Sequence, residues 1–307
     1  MSVGWVAGSV RARAMTRRRL GRVAVAALAG SESLETALVT LASTTYRRDI
    51  HPHQSLADAQ RAVVETLLWN LRVLAGWAPR DGVTILRLLA GVLEVENVAD
   101  HLQRLAGGET PPPYRLAGLA TAWPRLARTV SPGELRGTLA MSPWGDPGGD
   151  TPREIGLAMR TVLADRVIAA VPAAAQWAAG ATALLVAREV VVQGRELPSR
   201  ARIGAARVVG VAAASARTLP ALQAALSSGA RWALVEVAEP SDLWRAEAGW
   251  WARVERDGAA MVRRAAAGPE VLVGAVGLMA ADAWRVRAAL ELALRGGAPV
   301  EAFDAVG

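Results

Sequence analysis

A chain of 307 residues that is 52% apolar has ample material for a core, and helix-forming Ala, Leu and Arg dominate it. It contains no Cys, and all 35 of its basic residues are Arg. Disulfides, Cys–zinc sites, thiol nucleophiles, phosphate-binding lysines and Schiff-base lysines are therefore excluded. The formal charge of +7 and pI of about 11.1 fit either an acidic partner or the Arg usage of a GC-rich genome.

Strand-favouring aromatics are scarce, with two Tyr and one Phe beside eleven Trp, so an all-α fold is expected. Residues 9–29 read as one basic first helix, with Arg11, Arg18 and Arg22 near one face and Arg13 and Arg17 beside it. The apolar run 23–29 is too short for a signal-sequence core and has no convincing cleavage site. Ser31 is placed to cap the next helix, with Glu35 in its first turn. Over 55–75, Leu56, Ala59, Val63, Leu67, Leu71 and Leu74 recur at helical spacing. The same pattern over 82–106 predicts one long helix, stopped by Gly107-Gly108 and followed by the stiff Pro111-Pro112-Pro113.

Further helices are predicted over 116–129, 132–140, 152–171, 173–193, 200–216, 220–226, 241–266 and 270–294. Ser131-Pro132 and Thr151-Pro152 each place a capping hydroxyl before a first-turn Pro. The loop 142–150, with two Pro and three Gly, is expected to be the most mobile internal segment. The uncharged stretch 167–187 is long enough to span a bilayer, but it is mostly Ala and is interrupted by Pro172, Gln176 and Gly180. A Pro-broken pair of buried helices in a soluble chain is the expectation there.

The segments also repeat. A short helix ending in Leu precedes an aromatic by five or six residues at Leu41 with Tyr46, Leu139 with Trp144, and Leu226 with Trp232. Each third closes a long apolar helix with Gly, at Gly107-Gly108, Gly194 and Gly296-Gly297. Equivalent points lie about 90 to 100 residues apart, longer than tetratricopeptide or ankyrin units. The expected units are 1–110, 111–198 and 199–307, packed as one compact body.

Catalytic constellations are not found. His51 and His53 lie in a loop, His101 is remote from them, and no metal-ligand spacing links the three. Glu94 and Glu96 point to different sides of a helix, while Glu134, Glu154 and Asp242 read as first-turn acids. No Ser stands in a nucleophile elbow and no glycine loop cradles phosphate. The expectation is a non-enzyme without cofactor, metal or small-molecule substrate. Most Trp residues are expected to be core or inter-helix anchors.

The Arg-rich first helix is the charged feature that stands out. Elsewhere Arg is interleaved with acids, as in Arg153-Glu154 and Arg253-Val254-Glu255-Arg256. A solvated or protein-docking face is thus favoured, with Arg11, Arg13, Arg17 and Arg18 as the candidate docking residues. The alternative is an Arg-rich helical regulator that binds nucleic acid.

Val10-Arg11-Ala12-Arg13, the Leu34, Leu38, Leu41 run into Thr45-Tyr46, and Leu86-Arg87-Leu88-Leu89 leading to Glu94-Val95-Glu96-Asn97-Val98 follow one another in order. Together they resemble the family of central-stalk coupling subunits found in archaeal-type and vacuolar-type rotary ATPases (the C-type subunits of the former, the d-type subunits of the latter). The last third keeps a weaker echo in Ala281-Asp282-Ala283-Trp284-Arg285-Val286, and the middle third matches by position. The resemblance implies a funnel of three pseudo-equivalent helical units on the cytoplasmic face of a membrane. It also implies a rotor part between the central shaft subunits and the membrane rotor ring, with coupling by contacts instead of bond chemistry.

Overall fold

Gly, Pro and capping hydroxyls set the helix boundaries in the computed structural model, which describes residues 3–297. The C-terminal end of the expected third unit, 298–307, lies outside the described residues. Among those described, every regular element is helical. In chain order they are α1 (Val3–Thr16), α2 (Gly21–Ala29), α3 (Leu34–Ala42), α4 (Leu56–Ala75), α5 (Arg80–Leu89) and α6 (Gly91–Leu105). Next come α7 (Trp123–Leu126), α8 (Pro132–Ala140), α9 (Pro152–Ala170), α10 (Ala175–Ala187) and α11 (Ser199–Val209). The chain continues through α12 (Val211–Ala214), α13 (Leu219–Ala225), α14 (Ser228–Arg231), α15 (Leu243–Arg264) and α16 (Pro269–Leu294).

They form two compact units, Met1–Val83 with Trp251–Gly307, and Thr84–Trp250. The first is built on α16, which is apolar on nearly every side and so needs cover all round. α1, α2, α3 and α4 supply it, closing a core that includes Leu38, Leu41, Val63, Val286 and Leu290. Where α15 passes α16 the backbones meet at two glycines. A Cβ on Gly274 would lie 2.6 Å from the Gly258 carbonyl oxygen, so only Gly fits. The second unit packs α9 between α10, α11 and α6, around Leu157, Ala183, Val186, Val209 and Leu222.

Capping hydroxyls work where the sequence places them at Ser131 and at Thr151, whose capping box with Glu154 is complete. α3 is capped by Ser33, not Ser31, because Ser33 is the residue with extended backbone and its hydroxyl accepts from the Thr36 amide. Ser55 caps α4 and Thr218 caps α13 in the same way.

Several long predicted helices are broken. The basic first helix divides at 17–20, where Gly21 adopts φ +78° and the chain restarts as α2. Ala90 separates α5 from α6, and Gly210 at φ +100° separates α11 from α12. Residues 116–129 hold only a 3₁₀ turn at Ala117–Leu119 and the single turn α7, because α6 side chains capture backbone amides of this segment. After α10 the chain widens into a π turn at Arg188–Val192.

The loop 142–150, expected to be mobile, is fastened by buried Trp144 and by Asp146, which accepts from Arg136 and from the Gly148 amide. Arg136 and the Gly148 amide hold the Asp146 carboxyl down at about 2. Pro172–Val192, 21 residues, is the one helical stretch among those described that is long and apolar enough to cross a membrane. Its residues Trp177, Ala183 and Val186 are buried in the second unit.

Candidate functional site

Asp282 is a carboxylate in the middle of an aliphatic helix, 4% exposed, and a burial of that kind requires filled lone pairs. The Gly21 and Leu20 amides donate to it at 2.9 and 3.2 Å, and the Tyr46 hydroxyl donates at 2.9 Å. α2 has no capping side chain of its own, so α16 supplies one, placing a negative charge at the positive end of α2. Burial, then the charge and hydrogen bond of Asp282, push the Tyr46 hydroxyl well above its usual 10.0, against a smaller opposing pull from Arg19. Tyr46 is aimed by a local turn. The Thr44 hydroxyl donates to the Leu41 carbonyl at 2.6 Å and accepts from the Tyr46 amide at 3.2 Å.

Glu94 on α6 repeats the arrangement inside the second unit. It is 1% exposed and accepts from the Thr121 amide at 2.6 Å, the Ala122 amide at 2.7 Å and the Trp144 indole at 2.9 Å. α7, like α2, has no capping side chain of its own. Trp144 is aimed by the same local turn: the Ser142 hydroxyl donates to Leu139 at 2.7 Å and accepts from the Trp144 amide at 3.1 Å. One turn along α6, the fully buried Asn97 side chain pairs with both backbone groups of Tyr114, at 2.7 and 3.0 Å. Glu94 and Asn97, three apart on one helix face, thus fasten the whole 114–122 segment.

Trp232, the last of the three spaced aromatics, is seated differently. It donates its indole N–H to Gly229, and its ring lies on Gly180 of α10, where a Cβ would come 2.5 Å from the ring. α10 carries no acidic residue.

The four arginines singled out in the sequence do not lie on one continuous helix: Arg11 and Arg13 are on α1, and Arg17 and Arg18 follow its end. Arg13 is committed to the end of α15, donating to the carbonyls of Val262 at 3.3 Å, Ala266 at 3.1 Å and Ala265. Arg17 and Arg18 are exposed, whereas Arg11 is half-buried. Arg22 and Arg19 instead meet Glu255, which a fork-on-fork pair with Arg285 holds at 2.7 and 2.8 Å. Burial works against the Glu255 carboxylate, but the hydrogen bonds and charge of Arg285, with Arg22 and Arg19, bring it below its usual 4.5.

His53 sits beside Glu35 at 3.4 Å in an exposed loop. His101, expected only to be remote from the other two, is buried on α6, where it bonds to Thr129 at 3.0 Å and meets the edge of the Trp123 ring. No group of three potential ligands that could hold a metal occurs among the described residues. Of the Trp side chains, Trp123, Trp144 and Trp177 are buried, while Trp69, Trp77 and Trp244 are exposed. Helical periodicity does not mark Glu94 and Asp282 as fastening points, although both lie in the segments that carry the resemblance and the Leu-to-aromatic spacing marks their partners.

Arg11 and Arg18 do come together, at a cavity of about 610 Å³ in the first unit. No family model matches this chain, and no curated protein matches it.

Proposed function

We propose that the chain is a non-catalytic rotor subunit of a V/A-type rotary ATPase or ATP synthase, coupling the central shaft subunits to the membrane rotor ring. One observation carries the reading beyond the motif resemblance. The buried acid, twin amides, hydroxyl turn and aromatic recur, part for part, at Asp282 with Tyr46 and at Glu94 with Trp144. At the third aromatic, Trp232, only the seating of the ring against a helix, at Gly180, is kept, and the reading takes this contact as the third joint.

The capping pairs support the same division. Ser33 and Ser55, Ser131 and Thr151, and Thr218 and Glu239 with Asp242 each open a short helix and then a long one. The reading takes 1–110, 111–198 and 199–307 as three pseudo-equivalent units of a funnel-shaped body. A part that passes torque needs joints with one geometry, and a fully satisfied buried polar joint specifies one. On this reading the chain rests on the cytoplasmic face of the membrane through its complex, and exposed Arg17 and Arg18, with Arg11, belong to a docking face. Arg13 serves that face indirectly, by fixing α1 to the end of α15.

Affinity isolation of the tagged chain from membranes dissolved in mild detergent tests the proposal. Catalytic, shaft and ring subunits of a rotary ATPase should be recovered with it. Recovery of none of them overturns the reading, and nucleic acid retained in a steeply salt-dependent manner favours the Arg-rich regulator instead.

A further inference from the structure

Five arginines line the cavity in the first unit, Arg11, Arg18, Arg19, Arg47 and Arg48, against one carboxylate, Asp282. That carboxylate is already filled by two amides and a phenol. Arg19 is drawn to Glu255 at 3.6 Å, and Arg48 to Asp49 at 3.7 Å and to the face of Trp69. Arg11, Arg18 and Arg47 have no carboxylate partner among the described residues. The cavity wall therefore holds more positive charge than the fold itself uses.

Two buried donors in the same wall also lack partners. Thr66 is 4% exposed, yet its hydroxyl bonds to nothing. A helical Thr usually turns its hydroxyl onto the carbonyl one turn back, as Thr40, Thr138 and Thr182 do in this chain. The Arg11 Nε is likewise buried and unpartnered. An orphaned donor in a buried position is costly, and an acceptor entering the cavity would relieve both. At about 610 Å³ the space lies in the range of small-molecule sites and is much larger than one phosphate needs.

We infer that this cavity binds a small, multiply charged phosphate compound, of the pyrophosphate or nucleoside-polyphosphate class. Arg11 and Thr66 are its buried donors, and exposed Arg18 and Arg47 hold its outer charge. The site shares Arg11 and Arg18 with the proposed docking face, but it lies within one compact unit and is tested on the isolated chain, so its failure is distinguishable from failure of the rotor assignment.

Titration calorimetry with pyrophosphate and with ATP, against chloride at matched ionic strength, measures it. Saturable binding of at least one phosphate probe is expected, and Arg11→Gln should weaken it roughly tenfold, with a few-fold loss in Thr66→Val. Arg18→Gln and Arg47→Gln change exposed side chains and should weaken binding without altering the unfolding midpoint. Arg17→Gln, outside the cavity, should leave binding unchanged. Flotation with phosphatidylglycerol vesicles separates a soluble phosphate from a lipid headgroup. Flotation without a response to pyrophosphate or ATP overturns the inference. So does the absence of saturable binding, or equal affinity in the wild type and the Arg11, Arg18 and Arg47 variants.

Discussion

Asp282 and Glu94 are each charged groups that the fold has taken out of water, and each is stabilised by donors from chain segments far away in sequence. The Asp282 partners lie 236, 261 and 262 residues away, and those of Glu94 lie 27, 28 and 50 away. Replacing either acid by its amide turns an acceptor into a donor facing a donor. Asp282→Asn and Glu94→Gln should each cost about 3 kcal/mol, read as a lower urea midpoint. The separations also explain why the sequence showed Asp282 only as the worn remnant of a motif: spacing describes the helix a residue sits on, not what reaches it.

Tyr46 adds an alkaline signature. Its folded-state pKa is raised, so its contribution is complete below the ordinary value of 10.0 and is lost as pH rises above it. Tyr46→Phe should remove that alkaline loss, at the cost of one hydrogen bond at neutral pH. Glu255 has the opposite sign. Its pKa lies below 4.5 in the folded state, so its contribution is present above 4.5 and is lost as pH falls through the depressed value. Unfolding midpoints against pH should show Glu255→Gln flattening the acid side only.

Between helices, backbone proximity decides more than periodicity. The α15 and α16 contact depends on Gly258 and Gly274, neither of which stands out in a sequence that is rich in Gly. Gly274→Ala should cost about 2 to 3 kcal/mol in the same denaturation experiment, because backbone, not a flexible side chain, occupies the space. Ser131-Pro132 and Thr151-Pro152 were legible as helix starts because a cap is a local interaction. The break after Thr16, the one at Ala90 and the loss of α-helix over 116–122 were not. In the last case Glu94 and Asn97 override the local preference by taking the amides of 114, 121 and 122 for themselves. Arg13 belongs to this scale as well: its guanidinium closes the end of α15, so Arg13→Ala should lower stability by about 1 kcal/mol.

For the whole molecule, composition alone made the all-helical class legible, since Ala, Leu and Arg leave little from which to build a sheet. The Leu-to-aromatic spacing was legible, but it did not show that two of the aromatics, Tyr46 and Trp144, sit on buried acids from other helices. The grouping of the N-terminal arginines was not legible, because it assumed one continuous helix. The proposed role is mechanical, so the decisive readout is coupling. In inside-out membrane vesicles from cells lacking this chain, ATP should no longer build an ion gradient, while the catalytic sector released from those cells still hydrolyses ATP. Re-expression should restore the gradient. An ATP-driven gradient of undiminished size without the chain would contradict the rotor assignment.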